Sequence, residues 1–378
     1  MSAEYLKKFF NQKEFLNIFL NACSQIISIS TYVLFSRSFT QEYGLSNFGE
    51  LAYGIAIYST VMQISSISTV GFHKQLLTNR NNTNEEFTKL IILTSVGFIL
   101  SLFLLRILSL SLMPLFIPML LNIFNFLSLK IDYENKMMIK FIASFFSLGV
   151  MILLIHTNPF YAFIAFLFVR VSLLIIFLNI NISFKKLNFK LPENIDNIAF
   201  LLSASLNEHV YKIILKPVVG LDALGLFEVS YRLYTAARGF VGSIIHPLIF
   251  EVSKNYKEFN LGKLTKYFLY SFLFSLGFYL VPAAISLIYS IELSSNQIMA
   301  LMLLSTAYTL NTLSSVFFLL IVKIKNYGPI AVINVVSFLV MAVLINVLKE
   351  PFLSFSSGLL FNTALILVFF YNINKKSI

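Results

Sequence analysis

Residues 220–234 of the chain read GLDALGLFEVSYRLY, and residues 44–58 read GLSNFGELAYGIAIY. The two stretches share four of fifteen positions at a constant offset of 176 residues, close to half of the 378-residue chain. Each stretch begins with a glycine-rich turn and continues into an apolar segment. The match predicts that the chain is built from two related halves.

The composition excludes a soluble globular fold. Hydrophobic residues make up 58% of the chain and charged residues 12%, and the mean hydropathy is +0.82. Soluble domains contain about 45–50% apolar and about 25% charged residues. A chain with so little charge cannot cover a water-exposed surface, so the composition predicts an all-α polytopic membrane protein.

The apolar runs are long enough for about 12 transmembrane helices, since each span needs about 20 mostly apolar residues. Loops and tails then share the rest of the chain, which excludes a fused ATPase, a large catalytic domain and a nucleic-acid-binding module. The predicted spans are 14–36, 48–72, 88–108, 109–129, 137–156, 159–180, 196–218, 223–250, 264–290, 297–322, 328–347 and 351–371.

The basic residues predict the orientation of these spans. With twelve spans, 20 of the lysines and arginines fall on the side of the N-terminus. Only three, Arg37, Arg106 and Lys349, fall on the opposite side. Because Lys and Arg concentrate in cytoplasmic loops, we expect both termini to be cytoplasmic, in the inner (cytoplasmic) membrane of a bacterium.

The longest polar connection lies near the middle of the chain. It predicts an N-terminal six-helix bundle at 1–182, a cytoplasmic linker at 183–198 and a C-terminal six-helix bundle at 199–378. Because each half has six spans, the repeats would run parallel, related by an axis along the membrane normal. Two pseudo-symmetric bundles around a central cavity are typical of transporters that work by alternating access.

Ionisable residues inside the predicted spans are the candidate functional residues. A charge at the bilayer centre is costly, so such residues usually face a cavity or a partner. At helical spacing, Glu208–Lys212 and Glu228–Arg232 are predicted ion pairs. The remaining cations give a basic cavity wall that suits an anionic ligand. The candidate binding residues are Arg232, Arg238, Lys212, Arg170, Tyr231 and Tyr234, and candidates for ion coupling or helix pairing are Glu208, Glu228 and His209.

Several of these residues also have a purely structural interpretation. The two predicted ion pairs would serve equally well as locks between helices. Arg170 would be satisfied by Glu50 or by a phospholipid phosphate instead of a ligand. His209 is more typical of a satisfied core residue than of a proton carrier. Glu208 or Glu228 would couple transport to protons only if burial raised its pKa.

Enzyme and cofactor motifs are absent from the sequence. It contains no P-loop, dinucleotide-binding, nucleophile-elbow or zinc-protease motif, and its four histidines lack metal-ligand spacing. We therefore expect no catalytic residues, no metal site and no cofactor, with H⁺ or Na⁺ coupling left open.

Three features of the chain resemble a known family. They are the stretch Gly220–Gly225 running into an apolar helix with Arg232, its counterpart at Gly44–Tyr58, and the twelve spans. The chain resembles the polysaccharide flippases, exporters of O-antigen and capsule repeat units in the multidrug/oligosaccharidyl-lipid/polysaccharide (MOP) superfamily. The resemblance implies transfer of an undecaprenyl-diphosphate-linked oligosaccharide from the inner to the outer leaflet of the inner membrane. It also implies membrane lipids and glycan polymerase or assembly proteins as partners. Lys212, Arg232 and Arg238 would then bind the diphosphate.

Two other functions remain open. A multidrug exporter of the same superfamily is the first, although a carrier of organic cations would favour an acidic cavity. A membrane enzyme of surface-glycan assembly, such as a repeat-unit polymerase, is the second, although it would be expected to carry a long external loop.

Overall fold

The computed structural model is helical throughout the residues that it describes, with no strand among them. These are residues 12–77, 83–108, 113–180, 195–254, 269, 272–273, 275–321 and 328–377. The all-α class predicted from composition is confirmed. Most of the predicted linker 183–198 lies outside the described residues, so the predicted domain boundaries stay predictions.

Helices α1–α6 form the first half. Asn158 shows how the sequence sets a boundary: its side chain accepts hydrogen bonds from the backbone N–H groups of Phe160 and Tyr161, and Pro159 occupies the first helical turn. This is a favourable N-cap for α6. The helices are α1 Gln12–Tyr43, α2 Leu45–Leu77, α3 Thr83–Leu108, α4 Phe116–Glu134 after a 3₁₀ turn at Met113–Leu115, α5 Met137–Leu154 and α6 Pro159–Leu178.

Helices α7–α12 form the second half. A π-helical segment, Leu206–Val210, connects α7 to α8, and a break at Gly220 divides α8 into two parts. The helices are α7 Ile195–Ser205, α8 Tyr211–Lys254, α9 Val281–Tyr289 after a 3₁₀ turn at Leu276–Leu280, α10 Ser295–Ile321, α11 Gly328–Leu348 and α12 Pro351–Ser377.

Each of the twelve predicted spans overlaps helical residues. By length and composition alone, six stretches of the described helices could cross a membrane: Leu16–Tyr43, Thr83–Leu104, Met137–Leu154, Pro159–Leu178, Gly328–Leu348 and Pro351–Phe369. The fourth span, predicted at 109–129, instead corresponds to α4, which begins at Phe116. Residues 109–112 of this prediction lie outside the described residues, and the 3₁₀ turn at Met113–Leu115 is apolar, so hydropathy does not distinguish it from the helix that follows.

Two glycines break the helices at positions related by the offset of 176 residues. Gly44 separates α1 from α2 with φ 86°, and Gly220 divides α8 with φ 81°. Only glycine adopts this left-handed region without strain. Each glycine thus reverses the chain with almost no loop, and we call the end of the molecule that contains both turns the glycine end.

The two halves touch at the glycine end through a reciprocal contact. The space that a Cβ on Gly49 would need is filled by the carbonyl oxygen of Leu221, and a Cβ on Gly225 would meet the carbonyl oxygen of Leu45. Each residue of one pair lies 176 positions from its counterpart in the other pair. Such reciprocity is what a two-fold relation between the halves produces.

A second reciprocal contact lies farther along the same helices. The side-chain amide of Gln63 on α2 donates to the carbonyl oxygen of Leu201 on α7 at 3.4 Å. At the equivalent place, Gly239 on α8 lies against the side-chain oxygen of Gln25 on α1. These pairs are again related by 176 positions, so the pseudo-symmetry predicted from the sequence extends well beyond the glycine end.

Candidate functional site

A cavity that is partly open to solvent lies between the two halves. The first half contributes its apolar and aromatic wall, in which the Phe35 and Phe163 rings stack with centroids 4.4 Å apart. Glu228 and Arg232 are its lining residues from the second half. The lining comprises Ser28, Tyr32, Phe35, Phe48, Leu51, Ala52, Ile55, Ile117, Leu121, Phe163, Phe166, Leu167, Arg170, Glu228 and Arg232.

On the second half, one carboxylate holds two cations. The Glu228 carboxylate accepts from Arg232 Nε at 2.6 Å and pairs with Lys212 Nζ at 2.6 Å. Lys212 also lies over the Tyr231 ring, 4.1 Å from its centroid. The side chains of Lys212 and Glu228 are only 3% exposed, whereas that of Arg232 is 22% exposed. This cluster carries one more positive than negative charge.

The predicted Glu228–Arg232 pair is therefore present, but the predicted Glu208–Lys212 pair is wrong. Lys212 pairs with Glu228 on the other side of the glycine break, and the Glu208 side chain is exposed. Glu208 lies in the π-helical segment, where the backbone pairs residues five apart and the turn is wider. The spacing of an α-helix, on which the prediction relied, does not hold through such a segment.

Arg170 lies in the wall contributed by the first half and is 3% exposed. Its guanidinium donates to Ser24 Oγ at 3.2 Å and lies over the Phe124 ring, 4.1 Å from the centroid. In the described part of the chain no carboxylate lies within ion-pair distance of it, and its Nε lacks a hydrogen-bond partner. Glu50, considered as its partner from the sequence, is exposed. Arg170 is a buried cation without a counter-ion there.

Another buried ion pair lies in the first half. Lys140 Nζ is 3.3 Å from Asp132 Oδ1, and their side chains are 2% and 7% exposed. Sequence reasoning missed this pair because both residues fall beside a turn between spans, where charges are ordinarily solvated. The carbonyl oxygen of Lys140 accepts from Ser24 Oγ at 3.5 Å, which connects the pair to the residue that holds Arg170.

Arg170 and Arg232 lie at similar depths along their helices. Arg170 is eleven residues after Pro159, where α6 begins, and Arg232 is eleven residues after Leu221, where α8 resumes beyond its break. At 1.5 Å per residue both are about 16 Å from the starts of these helices. The cavity thus brings together one arginine from each half.

The other predicted site residues lie outside the cavity lining. Arg238 is exposed. Tyr234 is buried, and its hydroxyl donates to the Leu301 carbonyl oxygen at 2.7 Å while its ring stacks on Tyr308. His209 lies in the π-helical segment, and its Nδ1 has no hydrogen-bond partner among the described residues. Their predicted roles stay predictions.

The sequence patterns also did not predict the aromatic wall that the first half contributes to the cavity. Tyr32 and Phe166 line the cavity, but a chain with 41 phenylalanines and 18 tyrosines gives no signal to single them out.

Solved structures with the same architecture are found among transporters. The MATE multidrug transporter DinF-BH matches with a TM-score of 0.66 at 14% identity, over 96% of each chain. A multidrug resistance MATE family transporter of the MOP superfamily, in an outward-facing conformation, matches with a TM-score of 0.60 at 12% identity, over 100% of this chain and 98% of the other. The chain has the MATE transporter fold.

A third match is a MOP superfamily transporter from Pyrococcus furiosus, with a TM-score of 0.60 and 14% identity over 96% of this chain and 95% of the other. It is described as having a binding pocket of reverse polarity that suggests a different function. No protein-family model and no curated protein matches the chain. The likeness of the solved structures establishes the fold.

Proposed function

We propose that this protein is an alternating-access transporter whose cargo carries negative charge, and that the cargo is a lipid-linked oligosaccharide for surface polysaccharide such as O-antigen or capsule. The observation that carries the proposal is the pair of arginines, Arg170 from the first half and Arg232 from the second, that line one cavity. Intramembrane cations of this kind are costly unless they serve a ligand or a partner.

The chemistry of the cavity fits an anionic head group. Guanidinium groups bind phosphate oxygens in a bidentate way, and such bonds are strong where water is largely excluded. The aromatic wall supplies flat faces on which a sugar would stack. A diphosphate with its first sugars would occupy the cavity while the polyprenyl tail stays in lipid.

Multidrug export is the second candidate function. It is favoured by the solved neighbours, two of which are described as multidrug transporters. Against it stands the charge of the cavity: Glu228 is the one acidic residue among the described lining residues, and its carboxylate is already held by Lys212 and Arg232. The Pyrococcus furiosus transporter supports the view that this fold also serves other cargo.

Flipping in reconstituted vesicles tests the proposal. A polyprenyl-diphosphate oligosaccharide with a fluorescent sugar is placed in one leaflet, and its arrival in the other is followed with an impermeant quencher. We expect transfer that requires the protein and falls at least tenfold in Arg232→Ala, since a bond to a charged group contributes about 1.5–3 kcal/mol. Arg37→Ala is the matched control, because Arg37 is exposed and outside the cavity lining.

The same vesicles distinguish the two candidates. Protein-dependent transport of an organic cation dye, without transfer of the lipid-linked oligosaccharide, would establish multidrug export and reject the flippase. We further propose both termini in the cytoplasm, the bacterial inner membrane as the location, polysaccharide polymerase or assembly proteins as partners, and H⁺ or Na⁺ as the coupling ion. A vesicle assay with an imposed gradient of each ion in turn tests the coupling.

A further inference from the structure

We propose that Arg170 and Arg232 form two separate anion subsites, one on each half, so that the cavity selects a ligand with two anionic groups over a ligand with one. This inference rests on the proposed function, since it concerns the head group of the same anionic cargo. It adds a rule of selection: the number of charges on the cargo, and not only their sign, decides binding.

The first subsite follows from the surroundings of Arg170. The side chain is 3% exposed, and its contacts are a neutral hydroxyl, that of Ser24, and the face of Phe124. The attraction of a cation to an aromatic ring is weaker than the penalty for burying an ion without a counter-ion. The neighbouring Lys140 already neutralises Asp132, so this pair offers Arg170 no spare negative charge. One positive charge is left on this wall.

The second subsite follows from the charges of the opposite wall. Lys212 and Arg232 share the single carboxylate of Glu228, so this cluster also has an excess of one positive charge. Arg232 is the more exposed of the two cations and lines the cavity, whereas Lys212 does not. A ligand would therefore meet the excess charge at Arg232. The ion pair engages Nε, and a guanidinium has further N–H donors for a second acceptor.

The two excess charges belong to different halves and line the same cavity. Arg170 is on α6 and Arg232 is on α8, with Tyr32 from α1 also lining the cavity. Two negative charges are needed to neutralise both excess positive charges. A diphosphate diester carries two negative charges and therefore balances both. A monophosphate diester carries one.

Binding to the purified full-length protein in lipid nanodiscs tests this inference. The probes are two farnesyl-linked disaccharides that differ only in their bridge, one a diphosphate diester and the other a monophosphate diester. We expect the wild type to bind the diphosphate at least about tenfold more tightly, as a second charge-assisted contact provides. Arg170→Gln and Arg232→Gln should each remove this preference, because each leaves one excess charge.

Two further variants separate a subsite from a structural role. Arg170→Lys retains the charge and should retain the preference for the diphosphate. Arg37→Gln removes an exposed arginine from outside the cavity and should leave both affinities unchanged. A change in folding alone would weaken both probes together, whereas loss of a subsite changes the ratio of their dissociation constants.

The outcomes also separate this inference from the proposed function. Equal affinity of the wild type for the two probes, or a preference that persists in Arg170→Gln, would overturn the two-subsite inference while an anionic cargo stands. Failure of the wild type to bind either probe would overturn both the inference and the proposed function. A preference that is lost in Arg170→Gln and kept in Arg170→Lys supports the inference.

Discussion

An alanine at position 49 would place a methyl group where the carbonyl oxygen of Leu221 lies. That oxygen belongs to the backbone, so it cannot turn aside as a flexible side chain would, and the two helices must move apart. Overpacking of this kind costs about 1–3 kcal/mol. This cost destabilises only the conformation in which the halves touch at the glycine end. It therefore shifts the equilibrium between that conformation and the separated one toward separation by about 5- to 150-fold.

Pulsed EPR between two spin labels measures this shift. Cys23 is the one cysteine of the chain, so Cys23→Ser gives a clean background. Labels are then attached through Glu42→Cys and Asp222→Cys, since both positions are exposed and lie near the two glycine turns, one on each half. We expect Gly49→Ala to move a large part of the distance distribution to longer values.

Gly149→Ala is the matched control, because a Cβ at Gly149 meets nothing within 4 Å. Gly225→Ala should act in the same direction as Gly49→Ala, since a Cβ there meets the carbonyl oxygen of Leu45 in the reciprocal contact. The double variant should fall short of the sum, because both clashes lie at one crossing and a single separation of the helices relieves both. A distance distribution in Gly49→Ala identical to that in Gly149→Ala would refute the reasoning.

Three further predictions concern stability, measured as thermal or denaturant unfolding in detergent. Glu228→Gln should destabilise the protein by about 3–5 kcal/mol, because it leaves the buried Lys212 and the partly exposed Arg232 without their carboxylate. Adding Lys212→Met should recover part of the loss, and no recovery would mean that the Lys212–Glu228 pair is not coupled. Asp132→Asn should likewise lower the free energy of unfolding by about 3–5 kcal/mol. The loss should be smaller when it is combined with Lys140→Met, and strictly additive losses would argue against the pair. Gly358→Ala should cost less than Gly49→Ala, because the new methyl group meets a flexible methionine side chain; an equal or larger cost would contradict this.

The helices and the pseudo-symmetry could be predicted because their causes are local in the sequence. A span requires about 20 apolar residues, and a run of that length is visible without any structure. The repeat is visible because glycine is needed at both members of each pair: Gly44 and Gly220 for their positive φ, Gly49 and Gly225 for the close crossing. Where the backbone requires glycine, the glycine is present in both halves, and comparison of the two halves of the sequence detects it.

The charge network was only partly predictable because its partners come from tertiary packing. Glu228–Arg232 is four residues apart on one helix, and helical spacing predicted it correctly. Lys212–Glu228 joins the two sides of the break in α8, and no periodicity within one helix reports such a contact. The sequence also gives no indication of the π-helical segment at Glu208, because this segment depends on how the helix is packed.

The backbone contacts between the halves are symmetric, whereas the charges are not. At the offset of 176 residues, Glu228 and Arg232 correspond to Ala52 and Ala56, so the first half takes its cavity arginine, Arg170, from α6 instead. The glycine contacts that join the halves are thus distinct from the residues that carry charge, which implies that opening and binding can be changed separately.

Combining two of the variants above tests this separation. Gly49→Ala should lengthen the distances at the glycine end and keep the preference for a diphosphate over a monophosphate probe, since no charge near the cavity is altered. Arg170→Gln should lose the preference and keep the distance distribution of the ligand-free protein, since the reciprocal glycine contact is untouched. If either substitution changed both measurements, the contact and the charges would form one coupled unit, and the assignment of opening to the symmetric residues and of binding to the asymmetric ones would fail.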